Sequence, residues 1–403
     1  MNYKSLYKQF VMNDNQKFEE LYKNKFNSSS SVKFDLYIKD YQAFFTYDVE
    51  IMKLISKIKE LDSKVNKLLS NLPISAINQY LRKIMVEEIE YSNKIESIIT
   101  SKNDINNTVN EIEKKIHSKN RLKGIVEKYF LMNDEELKLE TSIDIRKLYD
   151  EMLYAEIILE DPNNLPDGKV FRKDSVHVYN GGRSIHNGIA PEDKIINYMD
   201  KALNILNDSE IDILIRIAIF HYLFGYIHPF YDGNGRINRF ISSYVLSKNY
   251  NKIIGYKLSM LIYQNLSTYY EAFNHTNDIR NRADISTFIY SFLYIVYQTY
   301  IKIEEEILEV IKKYDYYKDI VSNLTILNKL EKDFLLLLVQ TSIFKESGIT
   351  KMNIQNILNK GNTTITALLS KFRNLELLNE ETSGRYVYYS ANLKRIDDLT
   401  NKE

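Results

Sequence analysis

Glycine and proline, the residues that most often end or bend regular structure, fill only 12 and 5 of the 403 positions of this chain. Apolar residues recur at helical spacing through most of its length, so the expected fold is mainly α. The polar cluster Asn27-Ser28-Ser29-Ser30-Ser31 reads as a loop after a short N-terminal helix. Helices are then expected to about Leu69 and across the region of Glu96, with the polar residues 103–110 as a turn and no fixed-period repeat.

Chemistry concentrates in one segment, His228-Pro-Phe-Tyr-Asp-Gly-Asn-Gly-Arg-Ile-Asn-Arg239. The apolar run 211–227 before it has helical spacing, and residues 236–248 after it read as a second helix. Between them Gly233, Asn234 and Gly235 let successive backbone N–H groups face one concavity, which suits phosphate oxygens. The start of the second helix adds unpaired N–H groups and partial positive charge. Arg236 and Arg239 lie three residues apart on that helix, near enough to address neighbouring phosphates. Asp232 offers a carboxylate to Mg2+, an ion that takes few protein ligands and completes its shell with phosphate and water. His228 titrates near neutrality and can accept a proton from an attacking hydroxyl. A plain helix-to-helix turn explains the glycines but not His, Phe, Asp and two Arg at these offsets.

The segment resembles the signature of the Fic family, His-x-Phe-x-Asp/Glu-Gly-Asn-Gly-Arg-x-x-Arg, at every specified position. The resemblance implies transfer of AMP from ATP, with Mg2+, to a Ser, Thr or Tyr hydroxyl of a protein. It makes His228 the general base, Asp232 the metal ligand, and Gly233, Asn234 and Gly235 the anion hole. Arg236 and Arg239 then hold the outer phosphates, and Phe230 anchors the loop in the core. Upstream, Ser92 and Glu96 in Glu90-Tyr-Ser-Asn-Lys-Ile-Glu-Ser97 resemble the family's inhibitory helix, Ser/Thr-x-x-x-Glu-Gly/Asn, whose Glu pairs with the second arginine, here Arg239. Position 97 is Ser where that pattern has Gly or Asn. In some relatives this Glu also positions a water that removes AMP.

Residues 169–191 mix a β-prone run with turn dipeptides and resemble the family's target-docking flap, where a strand edge would hold a target segment by main-chain hydrogen bonds. Tyr269, Tyr270 and Asp284 stand where relatives carry an aromatic pair and an acid, and the tyrosines are candidates to stack on adenine as readily as core residues. His221 reads as a packed, hydrogen-bonded histidine, and His117, His177, His186 and His275 lack metal-ligand spacing, so no zinc site is expected.

Residues 330–339, 350–358 and 363–373 read as three short helices, followed by a β-prone segment at 378–389; together they resemble a winged helix-turn-helix. Its basic residues are few, Lys371, Arg373 and Arg385, and DNA binding, protein binding and a structural role all stay open. Lys plus Arg and Asp plus Glu both number 54, which excludes a global field toward nucleic acid or anionic membrane. The chain has no Cys and so no disulfide or thiolate chemistry. No signal peptide is seen, and the apolar runs 211–227 and 288–303 carry polar residues that mark buried helices, so a cytoplasmic protein is expected.

The expected organisation is an N-terminal helical segment at 1–75, an inhibitory helix and Fic domain at 76–310 with its core at about 145–300, and a winged helix at 320–403. The expected partner is a protein hydroxyl at the flap, with self-modification and a homodimer compatible. The alternatives are another nucleotide donor and a nucleotide-sensing DNA-binding regulator.

Overall fold

The computed structural model describes residues 3–116, 120–180, 183–344, 348–383 and 386–400. The order of elements begins α1 (Leu6–Met12), α2 (Asn15–Phe26), β1 (Ser31–Ile38), β2 (Tyr41–Thr46), α3 (Val49–Leu69), α4 (Ile74–Ile95), α5 (Lys102–Glu113), α6 (Lys123–Leu131) and α7 (Ser142–Glu160). It continues with β3 (His177–Asn180), β4 (Arg183–Asn187), α8 (Glu192–Asn207), α9 (Ile213–Ile227), α10 (Asn234–Asn249), α11 (Lys252–Gly255), α12 (Leu258–Gln264), α13 (Leu266–Asn277) and α14 (Ser286–Asn323). Last come α15 (Lys329–Phe344), β5 (Ile349–Thr350), α16 (Lys351–Leu358), α17 (Asn362–Asn374), β6 (Leu378–Ser383), β7 (Tyr386–Ala391) and α18 (Leu393–Thr400). The fold is mainly α, as expected, and no helix of the described residues is long and apolar enough to cross a membrane.

Contacts gather these elements into two compact units, Met1–Asp62 with Met85–Ile301, and Ser63–Ile84 with Lys302–Glu403. They differ from the three expected spans because α3, α4 and α14 each supply turns to both units.

In the first unit α9 is buried on every face, which is why its sequence is apolar all round rather than striped. Helices α8 and α10 pack against it, and α6 packs on α7. Two local expectations are corrected here. Residues 31–46 form an antiparallel hairpin instead of helix, because Phe34, Leu36 and Ile38 turn inward in alternation with exposed Lys33, Asp35 and Tyr37. Residues 103–110 are helical: Ser101 and Asp104 build a capping box, and Ile105, Thr108 and Val109 bury one face of α5.

In the second unit Val321, Phe334, Leu338, Ile354, Ile365, Leu369, Phe372 and Leu377 form the core. Strands β5, β7 and β6 make an antiparallel sheet in that order beside α15, α16 and α17, so helices and strands lie where the sequence placed them. Thr350 caps α16 by accepting from Asn353 N, whereas Gly361 stands at the cap of α17 without a side-chain bond. Arg385 lies outside the described residues.

Candidate active site

The motif loop is held from both ends. Helix α9 stops at His228, which adopts φ 53° and ψ 63°, and Pro229 prevents further helix. Phe230 is fully buried, stacked on Tyr149 at 3.9 Å and edge-on to Phe171 at 5.4 Å. Asn234 clamps the same residue, accepting from Phe230 N at 2.9 Å and donating to Phe230 O at 2.8 Å. Its amide therefore braces the loop. Gly233 has φ 80°, and a Cβ there would lie 2.5 Å from Leu153 Cδ1, so only glycine fits the start of α10.

Glu96 lies directly over that helix start. A Cβ at Gly235 would collide with Glu96 Oε1 and stand 2.8 Å from Arg239 Nη1. The carboxylate thus sits where a phosphate oxygen would approach the first turn. Arg239, 1% exposed, pairs with Glu96 Oε1 at 2.8 Å and donates through Nε to Ser92 Oγ at 3.1 Å and through Nη2 to Ser92 O at 2.8 Å. Burial alone would lower its pKa, but the Glu96 charge, with the Tyr269 and Tyr129 hydroxyls, holds the guanidinium above its ordinary value. Helix α4 ends just before Glu96 in a left-handed turn: Ser97 takes φ 62°, with Ile98 N bonded to Asn93 O at 3.0 Å and Ser97 N to Lys94 O at 3.1 Å. This Schellman geometry explains why Gly or Asn is the family's residue at position 97.

Arg236 is also fully buried, but its partner is Glu156 on α7, with Nη1 2.5 Å from Oε2 and both side chains at 0% exposure. Its Nε and Nη2 have no hydrogen-bond partner, while Asp232 Oδ2 stands 3.7 Å from Nη2. Arg121 approaches Glu156 Oε1 at 3.5 Å and donates to Ile99 O at 3.0 Å, linking the pair to the segment after α4. Burial raises the Glu156 pKa, against the pull of Arg236. Asp232 itself is 38% exposed, and its Oδ1 accepts from Gly233 N at 2.5 Å.

The tyrosine pair divides. Tyr269 is 7% exposed, packed on Phe273, with its hydroxyl on His221 Nε2 at 2.7 Å, so it belongs to the core rather than to an open base-stacking surface. Tyr270 stays partly exposed, and burial followed by the nearby Glu96 charge raises its pKa. His221 is buried between Tyr269 and Ser242; burial and the Arg239 charge lower its pKa to about 3, so it is neutral and structural, as expected. Asp284 is fully buried and pairs with Lys25 at 2.6 Å, where it ties the N-terminal segment down. Among the described residues no cluster of three or more His, Cys, Asp or Glu could hold a metal.

Strands β3 and β4 form the hairpin expected within 169–191, running antiparallel from His177↔Asn187 to Asn180↔Arg183. The base of this flap is stitched to the motif by Arg172 N to Pro229 O at 3.2 Å and Ile189 N to Ile227 O at 3.1 Å. Tyr231 joins them, donating to Asp167 Oδ1 at 3.0 Å and accepting from Asp174 N at 3.1 Å. Sequence reading did not single out Glu156, Arg121 or Arg172. The signal available for Glu156 was a carboxylate inside the apolar run Leu153–Ile157, on the side that Leu153 and Ile157 bury.

Known proteins resemble parts of this chain. Residues 141–246 match the Fic/DOC family. The chain is 30% identical over 177 residues to a protein of Aquifex aeolicus named "Probable protein adenylyltransferase", covering 41% of this chain and 52% of that one. It is 26% identical over 245 residues to the protein adenylyltransferase Fic of Nematostella vectensis, covering 58% and 52%. The chain thus spans about half the length of the curated relatives it matches. In fold it is similar to a Fic family protein of Desulfovibrio desulfuricans, with a TM-score of 0.53 at 18% identity over 87% of this chain and 98% of the other. The stretch that matches the Fic/DOC family, residues 141–246, contains α7, the flap, the motif loop and most of α10.

Proposed function

We propose that the chain transfers AMP from ATP to a protein hydroxyl and that Glu96 restrains the reaction. The observation that carries this reading is the Glu96 carboxylate seated over Gly235 on Arg239, an anion already occupying an anion site. In the active arrangement the outer phosphates replace Glu96 on Arg239 and meet the free Nε and Nη2 of Arg236. His228 takes the proton of the target hydroxyl, its oxygen bonds to the α-phosphorus, and the bond to the β-phosphate oxygen breaks to release pyrophosphate. Asp232, exposed beside the loop, is a carboxylate suited to Mg2+, which would neutralise phosphate charge when bound. Of the tyrosines, Tyr270 retains a face for adenine. A water positioned by Glu96 for AMP removal is compatible with its 32% side-chain exposure. ATP as donor fits the cytoplasm.

In the C-terminal module, the element order supports a winged-helix reading. Lys371 pairs with Glu331 at 2.7 Å and Arg373 pairs with Glu380, so the late basic residues of α17 are already neutralised. That favours a protein-facing or structural role over phosphate-backbone binding.

The test is incorporation of α-labelled ATP with Mg2+ into a cell lysate and into the purified chain. Label should rise in Glu96→Gly and vanish in Glu96→Gly/His228→Ala. Label that persists without His228 would refute the assigned base. Competition by UTP or another donor at lower concentration would move the reading to that nucleotide.

A further inference from the structure

Arg172 is a buried guanidinium with 0% exposure and no carboxylate partner among the described residues. Such a charge is costly unless every donor is matched. Here main-chain carbonyls match it from two sides of the site. Its Nη1 donates to Asp174 O at 2.5 Å and its Nη2 to Ile189 O at 2.8 Å, one on each arm of the flap base. Its Nε donates to His228 O at 2.9 Å, and Nη2 also reaches Ile227 O at 3.3 Å, the last turn of α9 and the residue after it. A carboxylate pair would have been a cheaper way to bury an arginine; the carbonyl set makes sense as a spacer that fixes three segments of backbone at once.

His228 needs such a fix because it sits at φ 53°, a left-handed conformation that is strained for a residue with a Cβ. Holding its carbonyl holds the peptide that aims the imidazole. The same guanidinium sets the spacing between the flap and the motif, which decides how far a docked hydroxyl stands from His228. We infer that Arg172 is a positioning residue for the transfer reaction, locking the main chain of His228 to both arms of the flap base. Arg236, Arg239 and the glycine turn share no hydrogen bond with it, so nucleotide binding should be independent of this lock.

The inference rests on the transfer reading. Its test uses Arg172→Ala and Arg172→Lys in the full-length Glu96→Gly chain, with α-labelled ATP and self-labelling as the readout. For Arg172→Ala the rate at saturating ATP should fall about a hundredfold, while KM for ATP stays within about threefold, since misplacement of about 1 Å costs that much without touching the nucleotide. Guanidinium ion should restore part of the lost rate in Arg172→Ala and methylammonium should not, because only the planar fork reproduces the donor set. An unchanged rate, a KM for ATP that rises with the loss, or a lack of rescue in a chain with normal melting would overturn the inference. If Arg172→Ala does not fold, Arg172→Lys must show the same loss of rate at unaltered KM. If the Glu96→Gly parent transfers no AMP, the transfer reading fails and the His228 ring resonance decides the lock separately. It should shift between parent and Arg172→Lys if Arg172 aims His228, and an identical resonance and titration curve would overturn it.

Discussion

Arg236 and Arg239 are three residues apart, equally buried and each paired with a carboxylate, yet their partners are anchored in different ways. Glu156 projects from the interior of α7 at 0% exposure and has no route outward. Glu96 follows the last residue of α4, is 32% exposed, and hangs on a left-handed turn built on Ser97. The same ion-pair chemistry therefore gives a fixed strut in one place and, on the proposed reading, a removable plug in the other. On that reading, anchoring rather than the strength of the pair separates a residue that shapes the nucleotide site from one that blocks it.

The contrast can be broken at its rigid side first. Glu156→Ala takes from buried Arg236 its fully buried partner and leaves Asp232 at 3.7 Å, and is expected to destabilise the chain by about 3–5 kcal/mol in denaturant unfolding. A loss below about 1 kcal/mol would make Glu156 as dispensable as a surface partner. Glu96→Gly should cost no more than about 1 kcal/mol of stability, because its partner keeps Ser92 and the nucleotide can replace it. It should raise AMP transfer about a hundredfold, the equivalent of about 2.7 kcal/mol.

A smaller effect tests how α4 is held. Glu88 is fully buried, accepting from Ser259 N at 2.8 Å, Ser259 Oγ at 2.5 Å and Ser243 Oγ at 3.2 Å, and burial raises its pKa from 4.5 to about 7. In the unfolded chain this carboxyl ionises once the pH passes its ordinary value of 4.5, while the folded chain keeps the proton until about pH 7. Its contribution is thus complete at low pH and is lost as pH rises through that window. Glu88→Gln should remove that slope, improving stability relative to wild type by about 2 kcal/mol at pH 8 compared with pH 5. Parallel pH profiles for the two proteins would contradict it. The smallest change sharpens the plug: Ser97→Gly, at φ 62°, should stabilise the chain by roughly 0.4–1 kcal/mol and lower basal transfer, measured by thermal melting and label incorporation.

What the sequence disclosed and what it hid follow from distance along the chain. The motif lies within twelve residues, and its helix–turn–helix geometry follows from local glycine, proline and apolar spacing, so His228, Asp232, Gly233, Gly235 and the arginines were legible together. Ser92 and Glu96 lie four apart on one helical stretch and were legible through its resemblance to the Fic inhibitory helix, although Ser92 meets Arg239 across 147 residues. Glu156 meets Arg236 across 80 residues, Arg172 meets His228 across 56, and Glu88 meets Ser259 across 171. Such pairs exist only once the helices have packed, and a carboxylate or guanidinium inside an apolar run is their only local trace. The β1–β2 hairpin escaped because its alternation is short and a helical reading absorbed it; Tyr269 was offered to adenine because nothing local shows that His221 takes its hydroxyl.

The central claim, that Glu96 and the nucleotide exchange on Arg239, is tested most directly by kcat/KM for ATP in a four-member cycle: wild type, Glu96→Gly, Arg239→Ala and the double variant. If they share that guanidinium, Glu96→Gly raises kcat/KM about a hundredfold when Arg239 is present and by less than about twofold when it is absent. An equal gain in both backgrounds would show that Glu96 acts elsewhere and would contradict the account.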